Sequence, residues 1–301
     1  MKIVVAGGCG YIGSVFVPEL LKAGHAVKVI DRMFFGRNLP PEIEVLDCDT
    51  RAVNETQFYR VDRVYDLAGL SNDPSCELDP RLTIDVNFRG AIHMARTARA
   101  AGAGEYVYVS SCAIFGDGIG SGEDRPLTEY ARAKQAVENA IQRMWGAQCF
   151  TPRVATAYGM APRMRFDLGP NLMALHAART GTLEVWGSGE QWRPFVHIRD
   201  VARLLSWGHV PTRIGSREST ITINDLAHRV ADVTGAQVSQ RSDLPTDTRS
   251  YRPNFRDGLT EVRLEDGVRE VFEAVRDGAV TDGPETRTVG RYKQLIGEGK
   301  L

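Results

Sequence analysis

Apolar and polar positions follow two rhythms along the first half of the chain. Short runs that are largely apolar, "KIVVAG", "AVKVID", "EVLDCD", "RVYDLAG" and "YVYVSS", alternate with longer stretches in which apolar residues return every three or four positions. The longer stretches run from about Ser14 to Ala23, around residues 83 to 101, and through "LTEYARAKQAVENAIQRMW", where Leu127, Ala131, Val137, Ile141 and Trp145 are among the apolar positions. The first kind reads as buried strands and the second as helices with one apolar face. "FTPRVATAYG" then returns as a strand. Strand and helix in turn predict an α/β chain with a doubly wound parallel sheet and helices on both faces.

After Gly159 the rhythm changes. "MAPRMRFDLGP" reads as loop, "NLMALHAARTG" as helix, and "LEVWGSGEQWRPFVHIRDVARLLSWG" as strand, turn, strand and helix. "ITINDLAHRVADVTG" is a helix with Asn224 or Asp225 near its start, and "DLPTDTRSYRPNFRDG" is irregular. The expected division is a sheet domain of residues 1–157 plus about 199–214, and a smaller α+β lobe of 158–198 and 215–301 that closes over the sheet edge.

Composition narrows the function by exclusion. With 37 basic and 38 acidic residues in 301, and no run of like charge, a nucleic-acid or membrane-surface partner is not expected, and a small ligand is. The five cysteines (Cys9, Cys48, Cys76, Cys112, Cys149) are odd in number and lack Cys-x-x-Cys spacing, so neither disulfides nor a metal site is expected. The start resembles no signal peptide, and no stretch is long enough to span a bilayer. A reduced, cytoplasmic protein is expected.

"GGCGYIGS" follows the first strand and opens the first helix, with Gly7, Gly10 and Gly13 at three-residue spacing. Glycines there let backbone approach a pyrophosphate while the helix N-terminus offers N–H donors. Asp31, ending the second strand, is placed to accept both ribose hydroxyls of an adenosine and to repel a 2′-phosphate, which favours NAD. Arg32 keeps NADP open as the lesser reading, since a guanidinium pairs with phosphate. Asp49, after the third strand, is either an adenine contact or an exposed loop carboxylate.

"YARAK" places Tyr130 and Lys134 four apart, on one helical face. A tyrosine with an ordinary pKa of about 10 needs a depression of roughly 3 units, about 4 kcal/mol, to act as a base at neutral pH. A neighbouring ammonium and a cationic nicotinamide supply that electrostatically, and Ser111 at a strand end could hold the same substrate hydroxyl.

Taken together, "GGCGYIGS", Asp31, "CDTRAV", "DLAGLS", "DVNFRG", "VSSCAIFG", "YARAK", "RVATAYG", "NLM" and "RPFVHIRDVA" resemble the extended short-chain dehydrogenase/reductases, and within them the nucleotide-sugar epimerases and dehydratases. The resemblance implies a Rossmann-like sheet and tightly bound NAD. It implies that Tyr11, Ile12, Asp49, Thr50, Leu67, Ala68, Gly69, Asn87, Tyr130 and Lys134 line the cofactor site beside the glycines, Asp31 and Arg32. It also implies a catalytic set of Ser111, Tyr130 and Lys134, and a homodimer through the two long helices. For the nucleotide-diphosphate sugar it implies Ser71, Thr156, Asn171, Leu172 and Arg193, with Arg249 and Arg252 competing for a late diphosphate contact and Arg249 favoured. Since 31 of the 37 basic residues are arginine, six being lysine, each such match is weak alone. His197 reads as a partly buried structural histidine and Asp200 as the cap of the next helix.

Three positions depart from the family pattern: Phe115 stands for the usual Tyr, Pro194 for an Asp after Arg193, and Thr156 for an Asn. Dehydratases of this kind follow the catalytic Ser or Thr with Asp and Glu, which act as acid and base in the elimination. Here those positions are Cys112 and Ala113, so ordinary 4,6-dehydration is disfavoured, and decarboxylation, which usually keeps an acid here, loses ground. Cys112 is either a buried thiol or a stand-in acid/base for an unusual elimination. The expected reaction is 4-epimerisation through a 4-keto intermediate, with a dehydratase or ketoreductase as the rival. A non-catalytic NAD-sensing regulator is the reading from another class, and the presence of Tyr130 and Lys134 opposes it.

Overall fold

A computed structural model describes residues 1–118 and 123–301. The first half runs β1 (Lys2–Ala6), α1 (Gly13–Lys22), β2 (Ala26–Asp31), β3 (Glu44–Asp47), β4 (Arg63–Asp66), α2 (Asp73–Cys76), α3 (Pro80–Thr83), α4 (Ala91–Ala100), β5 (Glu105–Tyr108), β6 (Ser110–Ser111), α5 (Glu129–Trp145) and β7 (Cys149–Phe150). The second half follows with β8 (Arg153–Val154), β9 (Thr156–Tyr158), α6 (Gly169–Thr180), β10 (Thr182–Trp186), β11 (Trp192–His197), α7 (Ile198–Leu205), β12 (Arg213–Ile214) and β13 (Thr220–Thr222). It ends with α8 (Ile223–Thr234), β14 (Gln237–Arg241), α9 (Leu264–Arg276) and α10 (Thr288–Gly297).

The central sheet is parallel, in the order β3-β2-β1-β4-β5-β7. β6 carries the line of β5 onward beside β8, which β12 flanks in turn. Alternation along β1 explains why its run is apolar throughout. Ile3 and Val5 pack with Phe16, Val17 and Leu20 of α1 on one face, while Val4 and Ala6 pack with Met94, Ala95 and Ala98 of α4 on the other. Each such side chain contributes roughly 1.5–3 kcal/mol by burial if aliphatic or aromatic and large. Among the described residues no helix is long and apolar enough to cross a membrane.

Several local expectations are corrected. The single strand expected over "FTPRVATAYG" is three short pieces, β7, β8 and β9, and Pro152 lies in the first gap, where its missing N–H ends ladder pairing. The helix expected around 83–101 contains a π-helical stretch over Ile84–Gly90, a widened turn that carries Asn87. Helix α8 begins at Ile223, so Asn224 and Asp225 lie in its first turn as expected; Thr222 is its cap, with Asp225 closing a reciprocal capping box.

Asp200 is likewise not the cap of α7; His197 is, its Nδ1 accepting the Arg199 N–H at 3.3 Å. The Asp200 carboxylate, 1% exposed, instead accepts the N–H groups of Glu261 and Val262 at 3.0–3.1 Å and pairs with Arg203 at 2.9 Å. It thereby pins the 259–262 loop to α7. Replacing it with Ala strands those buried donors, so Asp200→Ala is expected to lose about 2–3 kcal/mol of stability, read as a lower urea midpoint at unchanged m-value.

Candidate active site

The C-terminal ends of β1, β2, β4 and β6 open on one cleft, and the turn after β1 forms its floor. Gly7 adopts φ +75°, and a Cβ there would stand 2.8 Å from the Ala68 nitrogen. At Gly13 a Cβ would lie 2.5 Å from the Gly8 Cα, so the first turn of α1 presses directly on the backbone of the turn before it. Gly10 closes the turn by donating its N–H to the Gly7 carbonyl at 3.1 Å. The result is a shallow cradle of backbone N–H groups at a helix N-terminus, the shape a diphosphate needs.

Asp31 stands at the cradle's edge, its two oxygens accepting the N–H groups of Cys9 (2.9 Å) and Met33 (2.7 Å). Burial raises its pKa, and those two hydrogen bonds oppose the rise. Arg32 is engaged by Asp47 at 3.3 Å and lies 3.9 Å from Asp49, so the cation beside Asp31 is already balanced by carboxylates. Asp49 caps the 3₁₀ turn that starts at Thr50 and is held by Arg51, which also reaches Asp85. Both Asp49 and Thr50 line the cleft, as do Tyr11, Ile12, Leu67, Ala68 and Gly69.

Asn87 and Tyr11 act from behind the wall. The Asn87 carboxamide accepts the Leu70 N–H at 2.7 Å and donates to the Leu70 carbonyl at 2.9 Å, fixing the loop that carries Leu67 to Gly69. The Tyr11 hydroxyl donates to the Gly159 carbonyl at 2.6 Å and accepts from Asn171, so its ring borders the cleft while its hydroxyl ties the glycine turn to the end of β9 and to α6.

Ser111, Ala113, Tyr130 and Lys134 share the opposite wall. Lys134 is 7% exposed, donates to the Val109 carbonyl at 2.9 Å, and lies 4.5 Å from the Tyr108 ring centroid and 6.0 Å from that of Tyr130. Burial lowers its pKa, and the carboxylate of Asp66 acts against that. Asp66, at the end of β4, is pushed up to about 6 by burial despite Lys134, the Tyr106 hydroxyl at 3.0 Å and the Ala68 N–H at 3.1 Å. The Tyr130 phenol is raised by burial, with a hydrogen bond to Ser111 opposing.

The chain turns sharply at this wall. Ser111 caps a 3₁₀ turn over Cys112–Phe115, its hydroxyl accepting the Ala113 N–H at 3.1 Å. Ser111 and Ala113 therefore face the cleft, while Cys112 points into the core, 1% exposed, with its thiol 3.5 Å from the Arg153 carbonyl and its pKa pushed up to about 12 by burial. The expected acid/base candidacy of Cys112 is corrected on this ground.

The sugar-side residues divide. Ser71 and Thr156 line the cleft, joined by Asn72, Asp73, Leu168 and Tyr251. Asn171 does not: its amide is spent on the Gly159 N–H, the Tyr11 hydroxyl and the Arg165 carbonyl. Leu172, Arg193, Arg249 and Arg252 also stand off the wall. Arg193 and Arg249 both bind Asp247, and Arg249 reaches Asp73 at 2.5 Å, so the carboxylate lacking at Pro194 comes from the late loop. Arg252 packs over the Trp192 ring at 4.3 Å. His197 is buried, edge-on to Tyr158, with Nε2 3.5 Å from Glu270, a structural placement.

Sequence reasoning missed Arg163 and Arg165, which also line the cleft. Their only signal is "PRMR" just after the Tyr-Gly turn, and the arginine-rich composition hides it.

Known proteins are similar along most of this length. UDP-glucuronic acid decarboxylase 1 of Arabidopsis thaliana is 29% identical over 285 residues, covering 85% of this chain and 62% of the relative. The chain thus spans less than two thirds of that decarboxylase. A putative UDP-glucose 4-epimerase of Methanocaldococcus jannaschii is 25% identical over 269 residues, covering 83% of this chain and 88% of the relative. The solved UDP-glucose 4-epimerase of Thermotoga maritima superposes with a TM-score of 0.80 at 23% identity, over 93% of this chain and all of that one (100%), which shows the fold. The family model described as the NAD-dependent epimerase/dehydratase family matches residues 3–210, and the chain belongs to that family.

Proposed function

We propose that the protein is an NAD-dependent nucleotide-sugar 4-epimerase. One observation carries this reading: Ser111, Tyr130 and Lys134 meet on one wall, and the residue beside them that faces the cleft is Ala113, which can neither give nor take a proton. Bound NAD supplies the hydride acceptor and a positive ring. Tyr130 takes the proton of the sugar hydroxyl, Ser111 orients that hydroxyl, and the Lys134 ammonium holds the phenolate that results. Tyr130, carrying that proton, would return it to the same oxygen on re-reduction, so no further acid or base is needed from the residues present. The geometry of Asp31, with Arg32 balanced by Asp47, supports NAD over NADP.

The substrate is proposed to be a nucleotide diphosphate sugar, with Ser71 and Thr156 on its path and Arg193 and Arg249 reached once the Asp247 loop rearranges. Exposed Ile84 (42%) and Leu127 (43%), heading the two long helical segments, support a homodimer. Five free cysteines support a reducing, cytoplasmic setting.

Incubation with UDP- and TDP-hexoses and with UDP-glucuronic acid in deuterated water, followed by NMR, is expected to yield C4 epimers without deuterium at C3 or C5. Deuterium there, or loss of C6 as carbon dioxide, sinks the epimerase reading. Tyr130→Phe is expected to cut turnover roughly 10²–10⁴-fold while NAD still binds. Cys112→Ala, by contrast, should leave turnover within about twofold, because a thiol that faces the core touches no substrate.

Asp66 makes a pH prediction. The folded chain keeps a proton on it up to about pH 6, whereas an unfolded carboxyl releases it near 3.8. Between those values the folded state binds more protons, so this group's contribution to stability is full below pH 4 and falls as pH rises through 6. Urea denaturation from pH 4 to 7 should therefore show Asp66→Asn gaining on the native chain by about 2 kcal/mol, and parallel curves would refute the buried-carboxylate account.

A further inference from the structure

Arg163 stands apart from the other guanidiniums of the cleft. It is 4% exposed, yet among the described residues no carboxylate lies within ion-pair distance of it. Its neighbour Arg165 is neutralised by Asp167 at 2.5 Å. Arg163 is fixed by its Nη2, which donates to the Thr288 hydroxyl at 3.0 Å, and by the Phe35 ring, whose centroid lies 4.0 Å below the guanidinium. Its Nε has no hydrogen-bond partner. A buried cation with an unused donor costs several kcal/mol unless an anion meets it.

The surroundings say which anion. The Arg163 backbone N–H lies 3.4 Å from the Ser14 hydroxyl in the first turn of α1, and its side chain lines the cleft together with Gly10, Tyr11, Asp31 and Phe35. The positive end of α1 and the guanidinium therefore face the same space, an arrangement that is unfavourable until negative charge fills it. Burial and the nearby Arg165 lower the Arg163 pKa to about 10, while Asp167, Tyr292 and Tyr11 act upward. The Asp31 carboxylate, in the same cleft, feels the Arg163 charge, which lowers the Asp31 pKa, but it makes no ion pair with it.

We propose that Arg163, carried by the second lobe, is a cofactor ligand that binds the diphosphate of NAD from the side opposite the glycine cradle. It clamps the dinucleotide between the two lobes: the turn after β1 gives neutral N–H donors, and Arg163 gives the full positive charge. This rests on the NAD-binding reading and does not depend on which sugar reaction follows.

The test compares ligands with and without the diphosphate. Displacement of bound etheno-NAD from the full chain is measured with ADP-ribose and with adenosine. Arg163→Met is expected to weaken ADP-ribose by about tenfold or more and leave adenosine within about twofold. Arg163→Lys, which keeps the charge and the aliphatic stem, should show the same selectivity with a smaller loss, and it covers the case in which Met disturbs folding. Equal losses for both ligands in the Lys variant, or no loss for ADP-ribose in either, would overturn the assignment. Failure of the native chain to bind etheno-NAD at all would instead sink the cofactor reading.

Discussion

The rest of the structure hangs on a lack of room around the turn after β1. A methyl group at Gly7 would meet the Ala68 nitrogen, and one at Gly13 would meet the Gly8 backbone, so the turn is packed to backbone contact with the loop after β4 on one side and with α1 on the other. That closeness aims the start of α1 into the cleft and brings the Leu67 to Gly69 loop against the turn. It also presents Tyr11 to the chain after β9, where its hydroxyl meets Gly159 and Asn171. The Asn171 amide, which family likeness points toward the substrate, is occupied by Gly159, Tyr11 and Arg165.

Charge is distributed around the cleft with few loose ends. Arg193, Arg249, Asp247 and Asp73 form one connected set, so two guanidiniums beside the cleft are each held by carboxylates. Lys134 is balanced at longer range by Asp66. Such pairing keeps buried charge affordable without a ligand, and it makes an unpaired group such as the Arg163 Nε informative.

Much of this was legible in the sequence because local rules and tertiary packing agree. The all-apolar strands, the glycine turn, Asp31 and the Tyr130/Lys134 spacing each follow from a periodicity or a steric need that acts within a few residues, and the cleft unites them. What sequence could not give depends on which way a side chain turns after a strand ends. Cys112 was ambiguous because strand alternation and a 3₁₀ turn send it to different faces, and only the turn's capping by Ser111 decides. Asp200 is not the helix cap for a similar reason: besides Arg203 it holds the N–H groups of Glu261 and Val262, 61 and 62 residues on, and no spacing encodes those partners.

The Ser111 cap has a consequence for how chemistry is distributed in this scaffold. The hydroxyl assigned to the substrate also fixes the backbone of residue 113, whose side chain projects into the same cleft. Whatever occupies 113 is therefore aligned by the same hydroxyl that is proposed to align the sugar. Position 113 works as a socket: an acid placed there would arrive already oriented, and a methyl leaves the reacting carbon to the cofactor and Tyr130 alone. The repertoire of reactions open to the scaffold is concentrated in one side chain that the present protein leaves blank.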